Sequence, residues 1–361
     1  MLFCENYQLC DHKTFGDAFI GANTSEGFSG LIDVLADEER LKRVYVIKGA
    51  AGTGKSTLLK NIYAASVNKN INAVRYACSS DPHSLDMVVL NSEVAVLDGT
   101  APHSYDMKYP GAASSIVDLS VFWDVRYLEK HKKEIVELSK IKRSCYKNAY
   151  AKLHLMYMLF SDRLKIISSA VDHIKLENYV TKLIGDISVG EKKGALTTEY
   201  HRCISTSGRF RLDTLESKAE RVVKIKDHYG SAYIMTHSIA EALKENGIRY
   251  IRSADPLNRT IISEIYLPES KTLITIEDKE DACKYVNMKR FIRTEELHSI
   301  KGEMRLSEKC SEAVDGEVLK YLKLAGEFHR KLEDIYAMAM DFKGLGEYTG
   351  SLACEILNNI N

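Results

Sequence analysis

At 361 residues the chain is long for one domain and comfortable for two. Lys and Arg together number 50, as do Asp and Glu, and this balance excludes a global basic field and leaves no clear nucleic-acid signal. A hydrophobic content of 45% with 5 prolines suits a globular, helix-rich protein, and the eight cysteines form no C-x-x-C pair, which argues against a disulfide framework or a zinc site.

No apolar run reaches membrane-spanning length, Leu153 to Phe160 being too short. Met1 to Asn6 lacks the basic-then-apolar profile of a signal peptide, so the cytoplasm is the expected compartment. The Asn23-Thr24-Ser25-Glu26-Gly27 cluster reads as a turn between two short extended pieces, and residues 30–41 as a helix. Arg43 to Lys48 is a short β-branched run with the character of a buried strand. Gly49-Ala50-Ala51-Gly52-Thr53-Gly54-Lys55-Ser56-Thr57 follows and fits the P-loop pattern G-x-x-x-x-G-K-[ST] without a mismatch. Leu58, Leu59 and Ile62 then fall on one helical face. The glycines let successive N–H groups turn inward around a phosphate, and the new helix adds its positive N-terminal end. On this reading Lys55 and the loop amides hold the β- and γ-phosphates of ATP, Ser56 ligates Mg²⁺, and Thr57 reaches the α-phosphate.

Residues 71–78 read as a second strand and Met87 to Leu90 as a short extra one. Val94-Ala95-Val96-Leu97-Asp98 then fits a Walker B strand, with Asp98 as the carboxylate for Mg²⁺. No glutamate follows Asp98, so the usual place of a catalytic base is not filled. Asp81 has two readings, orienting water beside the phosphates or capping the segment after it. From about Val117 to Gly190 the pattern is long, charged and of period 3.6, one helix opening at Tyr127 and another running through Leu164 to Val171; this is an α-helical arm.

The chain also repeats itself. Arg221 to Lys226 matches Arg43 to Lys48 at four of six positions, with an offset of 178. Asp227 to Met235 stands where a second P-loop belongs, matching Lys55 to Tyr233 and Ser56 to Ile234. Ile248 to Arg252 matches the second strand, Asp255-Pro256 echoes Asp81-Pro82, and Thr272 to Asp278 matches the Walker B strand. Cys203 to Phe210 echoes the early turn, and residues 317–342 are again helical and charged. The expected fold is therefore α/β, a P-loop NTPase-like parallel-sheet core duplicated in tandem. Residues 1–190 form the intact unit with its arm, and residues 191–361 the degenerate unit with its own. The second copy is expected not to bind nucleotide. It either covers the first core or supplies a cation to its phosphates, Arg209, Arg211 and Arg252 being candidates.

These motifs, with Cys78-Ser79-Ser80-Asp81-Pro82, Ser84-Leu85-Asp86 and Leu97-Asp98-Gly99-Thr100-Ala101-Pro102-His103, give the chain a resemblance to uncharacterised bacterial P-loop ATPases with a duplicated P-loop unit. The resemblance implies a P-loop NTPase fold and ATP binding and says little of a physiological substrate. It also implies that Thr100 or His103 faces the phosphates, although as residues they serve equally as turn formers. In that family the second unit often keeps its P-loop, and this chain departs there.

Three functions follow. The first is a Mg²⁺-dependent ATPase that couples nucleotide state to movement of the arms; ATP is preferred to GTP because no [NT]-K-x-D stretch is present, Thr181 to Ile184 not fitting. The second is a small-molecule or nucleotide kinase, for which Arg126, Arg143 and Arg163 would grip the acceptor. The third is a non-enzymatic binder whose arms are ordered by nucleotide for a protein partner.

Overall fold

The computed structural model describes residues 7–101, 104–187, 193–277 and 285–360. Strand β1 (Gln8–Cys10) and helix α1 (His12–Phe15) precede β2 (Ala18–Phe19) and the hairpin β3 (Gly21–Thr24) and β4 (Gly27–Gly30). Helix α2 covers only Ile32–Leu35, so the helix expected over residues 30–41 ends early. The reason lies in Glu38, whose buried carboxylate accepts hydrogen bonds from the Tyr105 and Ser114 hydroxyls and the Lys108 and Tyr109 amides and so fixes a turn.

Next come β5 (Arg43–Lys48), α3 (Lys55–Asn68), β6 (Ala73–Ala77), β7 (Leu85–Leu90), β8 (Val94–Asp98) and β9 (Ser114–Asp118). The arm is α4 (Val125–Lys130), α5 (Lys132–Ala170) and α6 (His173–Ile187). Asp124 caps α4 by accepting from the Tyr127 amide at 3.1 Å. The segment expected as a separate helix through Leu164 is the end of the 39-residue α5.

The second half repeats the series as β10 (Thr197–Glu199), β11 (Arg202–Ser205), β12 (Gly208–Leu212), α7 (Thr214–Lys218), β13 (Arg221–Lys226), α8 (Ala232–Glu245), β14 (Ile251–Asp255), β15 (Asn258–Leu267), β16 (Thr272–Ile276) and β17 (Tyr285–Asn287). Its arm, α9 (Thr294–Met338) and α10 (Phe342–Asn358), begins well before the expected 317. The positions 102, 103, 278 and the 190/191 boundary, with Cys4 and Cys283, lie outside the described residues.

The two main sheets have one topology. Strand order is β2-β6-β7-β8-β5-β9 in the first and β10-β14-β15-β16-β13-β17 in the second. Neither is purely parallel, as the sequence had implied. In each, one strand reverses, β7 against β6 and β8, and β15 against β14 and β16. The cause is local: β7 follows β6, and β8 follows β7, by short connections, and adjacent antiparallel strands need no crossover helix.

The arms exchange partners. Leu176, Val180, Leu183, Ile184 and Ile187 give α6 a buried stripe at helical spacing, and that stripe joins the core of the second sheet with α8. Leu345, Leu352, Ala353, Ile356 and Leu357 of α10 join the core of the first sheet with α3. Each leucine, isoleucine or valine among them contributes roughly 1.5–3 kcal/mol when fully buried, so α6 and α10, the last helices of the two arms, are each bound to the unit that did not precede them. The entries match as well. The Asp172 amide donates to Phe291 O at 2.7 Å before α6, and the Asp341 amide to Phe122 O at 2.9 Å before α10. The arms also pack along each other, with Met304, Val318 and Leu322 of α9 in one core with Ala149, Leu153 and Met156 of α5. Strand β1 crosses too, pairing parallel with β12.

One face distinguishes the sheets. Val46, Met87 and Leu97 belong to an apolar cluster of the first sheet. Strand registers place Lys224, Glu264 and Thr275 at the corresponding points of the second. There Glu264, 1% exposed, accepts from Arg211 Nε at 2.7 Å and the Thr275 hydroxyl at 3.0 Å, with Arg202 Nη2 at 3.4 Å. Burial raises its pKa, but Arg211 and Arg202 outweigh burial and hold it at about 2. A carboxyl with a depressed folded-state pKa contributes stability above its unfolded value, and that contribution is lost as pH falls from the ordinary carboxylate range toward 2. Glu264→Gln leaves two buried guanidinium groups short of an anion and is expected to cost about 3–5 kcal/mol at pH 7 by urea denaturation. It should also flatten the acid limb of stability against pH; an unchanged acid limb would contradict this role.

Candidate functional site

The Gly49–Thr57 turn joins the buried strand β5 to α3. Gly52 (φ +70°) and Gly54 (φ +85°) hold left-handed conformations that residues with a Cβ adopt only under strain. The Thr53 hydroxyl, fully buried, donates to Ala50 O at 2.8 Å and closes the turn on itself. No side chain caps the start of α3, and Leu58, Leu59 and Ile62 bury its inner face as the spacing predicts.

Strands β5 and β8 lie side by side and parallel, with Ile47 opposite Asp98. That pairing brings Lys55, the first residue of α3, to the end of β8. The Lys55 ammonium is 3.6 Å from Asp98 Oδ2, both side chains about nine-tenths buried, and it also donates to Ala50 O. Asp98 Oδ1 accepts from the Thr100 amide at 2.9 Å and its hydroxyl at 2.6 Å. Burial pushes the Asp98 carboxyl up, Lys55 pulls it back, and Asp86 pushes it further. Ser56 Oγ accepts from the Leu85 amide at 2.9 Å, which ties the start of α3 to β7. Thr57 is exposed. Lys55, Ser56, Asp98 and Thr100 are thus brought together, while His103 lies outside the described residues.

Asp86 belongs with them. Met87 pairs with Leu97, so one step along the same register sets Asp86 across from Asp98 on the same face of the sheet. It is buried, and its charge also raises the Cys78 thiol, for which burial is the larger cause. Sequence reading missed this role although the signal was present, since an antiparallel β7–β8 pair fixes the register. Asp81 is placed differently. It is exposed, and its carboxylate accepts from the His83 amide at 3.2 Å and the Ser84 hydroxyl at 2.6 Å, the capping arrangement.

The far side of the turn is closed by α9. A Cβ on Gly52 would stand 2.5 Å from Glu333 O and 2.8 Å from Glu333 Cα, so the helix backbone rests on the turn. A Cβ on Gly54 would meet Leu345 of α10 at 2.9 Å. His329 and Glu333 of α9 and Lys142 of α5 gather here, and no motif announced them.

The equivalent turn in the second half is differently built. Helices α3 and α8 are both 14 residues long, and their buried positions coincide when Lys55 is set on Ala232 and Ser56 on Tyr233. The turn before α8 is one residue shorter, so the sequence match of Lys55 to Tyr233 is out by one. By strand register Ile276 takes the place of Asp98 and Ser263 that of Asp86. Asp255 ends β14 as Ala77 ends β6, so its match to Asp81 also fails. It caps a tight turn, accepting from the Leu257 amide at 2.9 Å. Asp227 turns its carboxylate inward and accepts from the Gly230 and Ala232 amides, both at 2.8 Å.

The arginines considered as donors to the first turn are engaged elsewhere. Arg209 binds Asp315, Arg211 binds Glu264, and Arg252 Nε donates to the Thr198 hydroxyl at 2.9 Å. Arg126 and Arg143 are exposed, and Arg163 is buried near Asp227 and Glu308. Asp11, His12 and Asp213 form a separate group of potential ligand atoms at the edge of β1, where His12 Nδ1 and Asp213 Oδ1 are 2.7 Å apart. Among the described residues no helix is long and apolar enough to cross a membrane. No family model, curated protein or solved structure matches the chain.

The contact at Gly52 has a direct test. Gly52→Ala is expected to lose about 1–3 kcal/mol from the left-handed backbone alone, and more from the collision with α9. Gly111→Ala (φ +81°), with open space around the new Cβ, isolates the first effect. Thermal melts should rank Gly52→Ala clearly below Gly111→Ala; equal melting would contradict the close approach.

Proposed function

We propose that the chain binds ATP with Mg²⁺ at Gly49–Thr57 and hydrolyses it. The observation that carries this reading is the pairing of Lys55 with Asp98 at 3.6 Å, at the mouth of a glycine turn that opens a helix. A cation at the start of α3 and a carboxylate at the end of the adjacent strand β8, with the hydroxyl of Ser56 one residue on, are the donor set that a metal-bound triphosphate requires. The residues fit the group: the left-handed glycines leave the loop amides near the ligand, and Asp98 and Asp86 offer the oxygen ligands a hard cation takes. Mg²⁺, when bound, supplies charge neutralisation at the β- and γ-phosphates. Lys55 would exchange the Ala50 carbonyl for phosphate oxygens, Ser56 and Asp98 would hold the metal, and α9, packed on Gly52, would limit water at the turn.

The shared strand order supports descent of both halves from one duplicated P-loop unit. The inward carboxylate of Asp227 supports loss of phosphate binding in the second, because it already takes two of the amides an anion would use and repels a phosphate. The contact of α9 with Gly52 supports an effect of nucleotide on the arms.

Calorimetric titration with Mg-ATP tests the site. Lys55→Ala should weaken binding at least tenfold, the loss of one charge-assisted contact. Asp98→Asn should abolish phosphate release while leaving a folded protein. Wild-type affinity in Lys55→Ala would remove the site assignment, and binding without any turnover in the wild type would leave a nucleotide-dependent binder.

A further inference from the structure

Three ionisable side chains from the two arms meet over the Gly49–Thr57 turn. Lys142 Nζ of α5 lies 3.3 Å from His329 Nδ1 of α9, and His329 Nε2 lies 3.6 Å from Glu333 Oε1. All three feel the charge of Lys55. Burial, with Lys142 and Lys55 beside it, holds His329 at about 4, so at neutral pH it is an uncharged link between Lys142 and Glu333. Burial lowers the pKa of the Lys142 ammonium and Lys55 lowers it further, while Glu333 favours its charged form, so an anion beside the two lysines relieves their repulsion. The anions whose charge is felt there are Glu333 and Asp334 from α9, Asp81 from the loop after β6 and Asp98 from β8; Arg330 and Arg143 add positive charge.

The second half supplies a comparison. Its turn amides hold the Asp227 carboxylate, and Arg163 of the arm α5 lies within reach of that charge, while Phe160 and Leu164 pack on Gly230. An anion on the turn amides, flanked by a cation from an arm, is thus an arrangement this fold builds. At the first turn Lys142 is the arm cation, and the motif residues Gly49 to Thr57 include no acid to match Asp227.

We propose that Lys142 is a binding residue for the terminal phosphate of the triphosphate, and that Glu333 is the internal anion this phosphate displaces from Lys55 and Lys142. The inference rests on Gly49–Thr57 being the nucleotide turn. It gives the arms a means of telling ATP from ADP. The terminal phosphate reaches Lys142 on α5 and moves Glu333 on α9, whereas a diphosphate held by the turn amides and Lys55 reaches neither. His329 positions the Lys142 ammonium and holds it off Glu333.

The experiment is calorimetric titration of the full chain with Mg-ATP and, separately, Mg-ADP. Lys142→Ala should weaken ATP about tenfold or more, as loss of a charge-assisted contact does, and ADP by less than about twofold. Lys142→Arg, which keeps the charge, should stay within about threefold of wild type for both. Glu333→Gln should tighten ATP severalfold by removing the competing charge. Thermal melts of each variant separate lost binding from lost folding, and Lys142→Arg gives a second readout if Lys142→Ala melts early. If Lys55→Ala loses both nucleotides while Lys142→Ala binds ATP as wild type does, or loses ATP and ADP equally, the role of Lys142 is overturned and the turn assignment stands. If Glu333→Gln weakens ATP, Glu333 is not a displaced anion. If Lys55→Ala binds ATP normally, the nucleotide turn itself is misassigned and this inference goes with it.

Discussion

The close approach of α9 to Gly52 constrains everything around it. With Glu333 O 2.5 Å from the place of a Cβ, the turn and the helix cannot change independently. Helix α9 runs 45 residues, which at 1.5 Å per residue is roughly 65 Å of continuous backbone. Its earlier residues Met304, Val318 and Leu322 are locked in the core of the second half. Beyond Met338 the chain enters α10, whose Ile356 and Leu357 are buried against the first sheet. A displacement of one turn of helix at Glu333 is therefore borne by both cores. The exchange of arms ties the two halves together, so that the turn at Gly49–Thr57 lies against a helix that follows the second sheet.

The two halves share a topology and differ in chemistry. The first turn has a lysine, a serine and two sheet-end carboxylates at its mouth. The second has an alanine, a tyrosine, an isoleucine and a serine in the matching places, and its own aspartate accepts from the turn amides. The same contrast extends to the sheets, where an apolar face in the first answers to a buried ion network in the second. Such a network carries a desolvation penalty that only complete pairing offsets. Glu264 is paired with Arg202 and Arg211, and the latter also lies 3.3 Å from Glu216. The second half thus holds its turn with its own carboxylate, and its core buries the earlier part of α9.

Much of this was legible in the sequence, because it depended on local chemistry. The glycine turn, β5, β8, the hairpin at residues 21–30 and the strand pairs of the repeat all follow from residue type and short-range spacing. The reversal of β7, and with it the position of Asp86, rests on short local connections, whereas the rest of what escaped was set by distant contacts. The antiparallel turn of β7 depends on a seven-residue connection, and only that register brings Asp86 to Asp98. Glu38 ends α2 through partners some seventy residues away. The turn before α8 is one residue shorter than the turn before α3, and an ungapped match, blind to this, sets Tyr233 against Lys55 instead of Ser56. The roles of Lys142, His329 and Glu333 had no local signal, since charged residues on long helices usually face water. Only the crossing of the arms places them over the turn.

Hydrogen exchange of the full chain, with and without Mg-ATP, addresses the central claim most directly, because it reads both turns and both arms at once. The account predicts slowed exchange at the Gly49–Thr57 turn, a change in the facing stretch of α9 around His329 and Glu333, and none at Asp227–Ser231, where a carboxylate already holds the amides. Equal protection of both turns, or protection of neither, would contradict it.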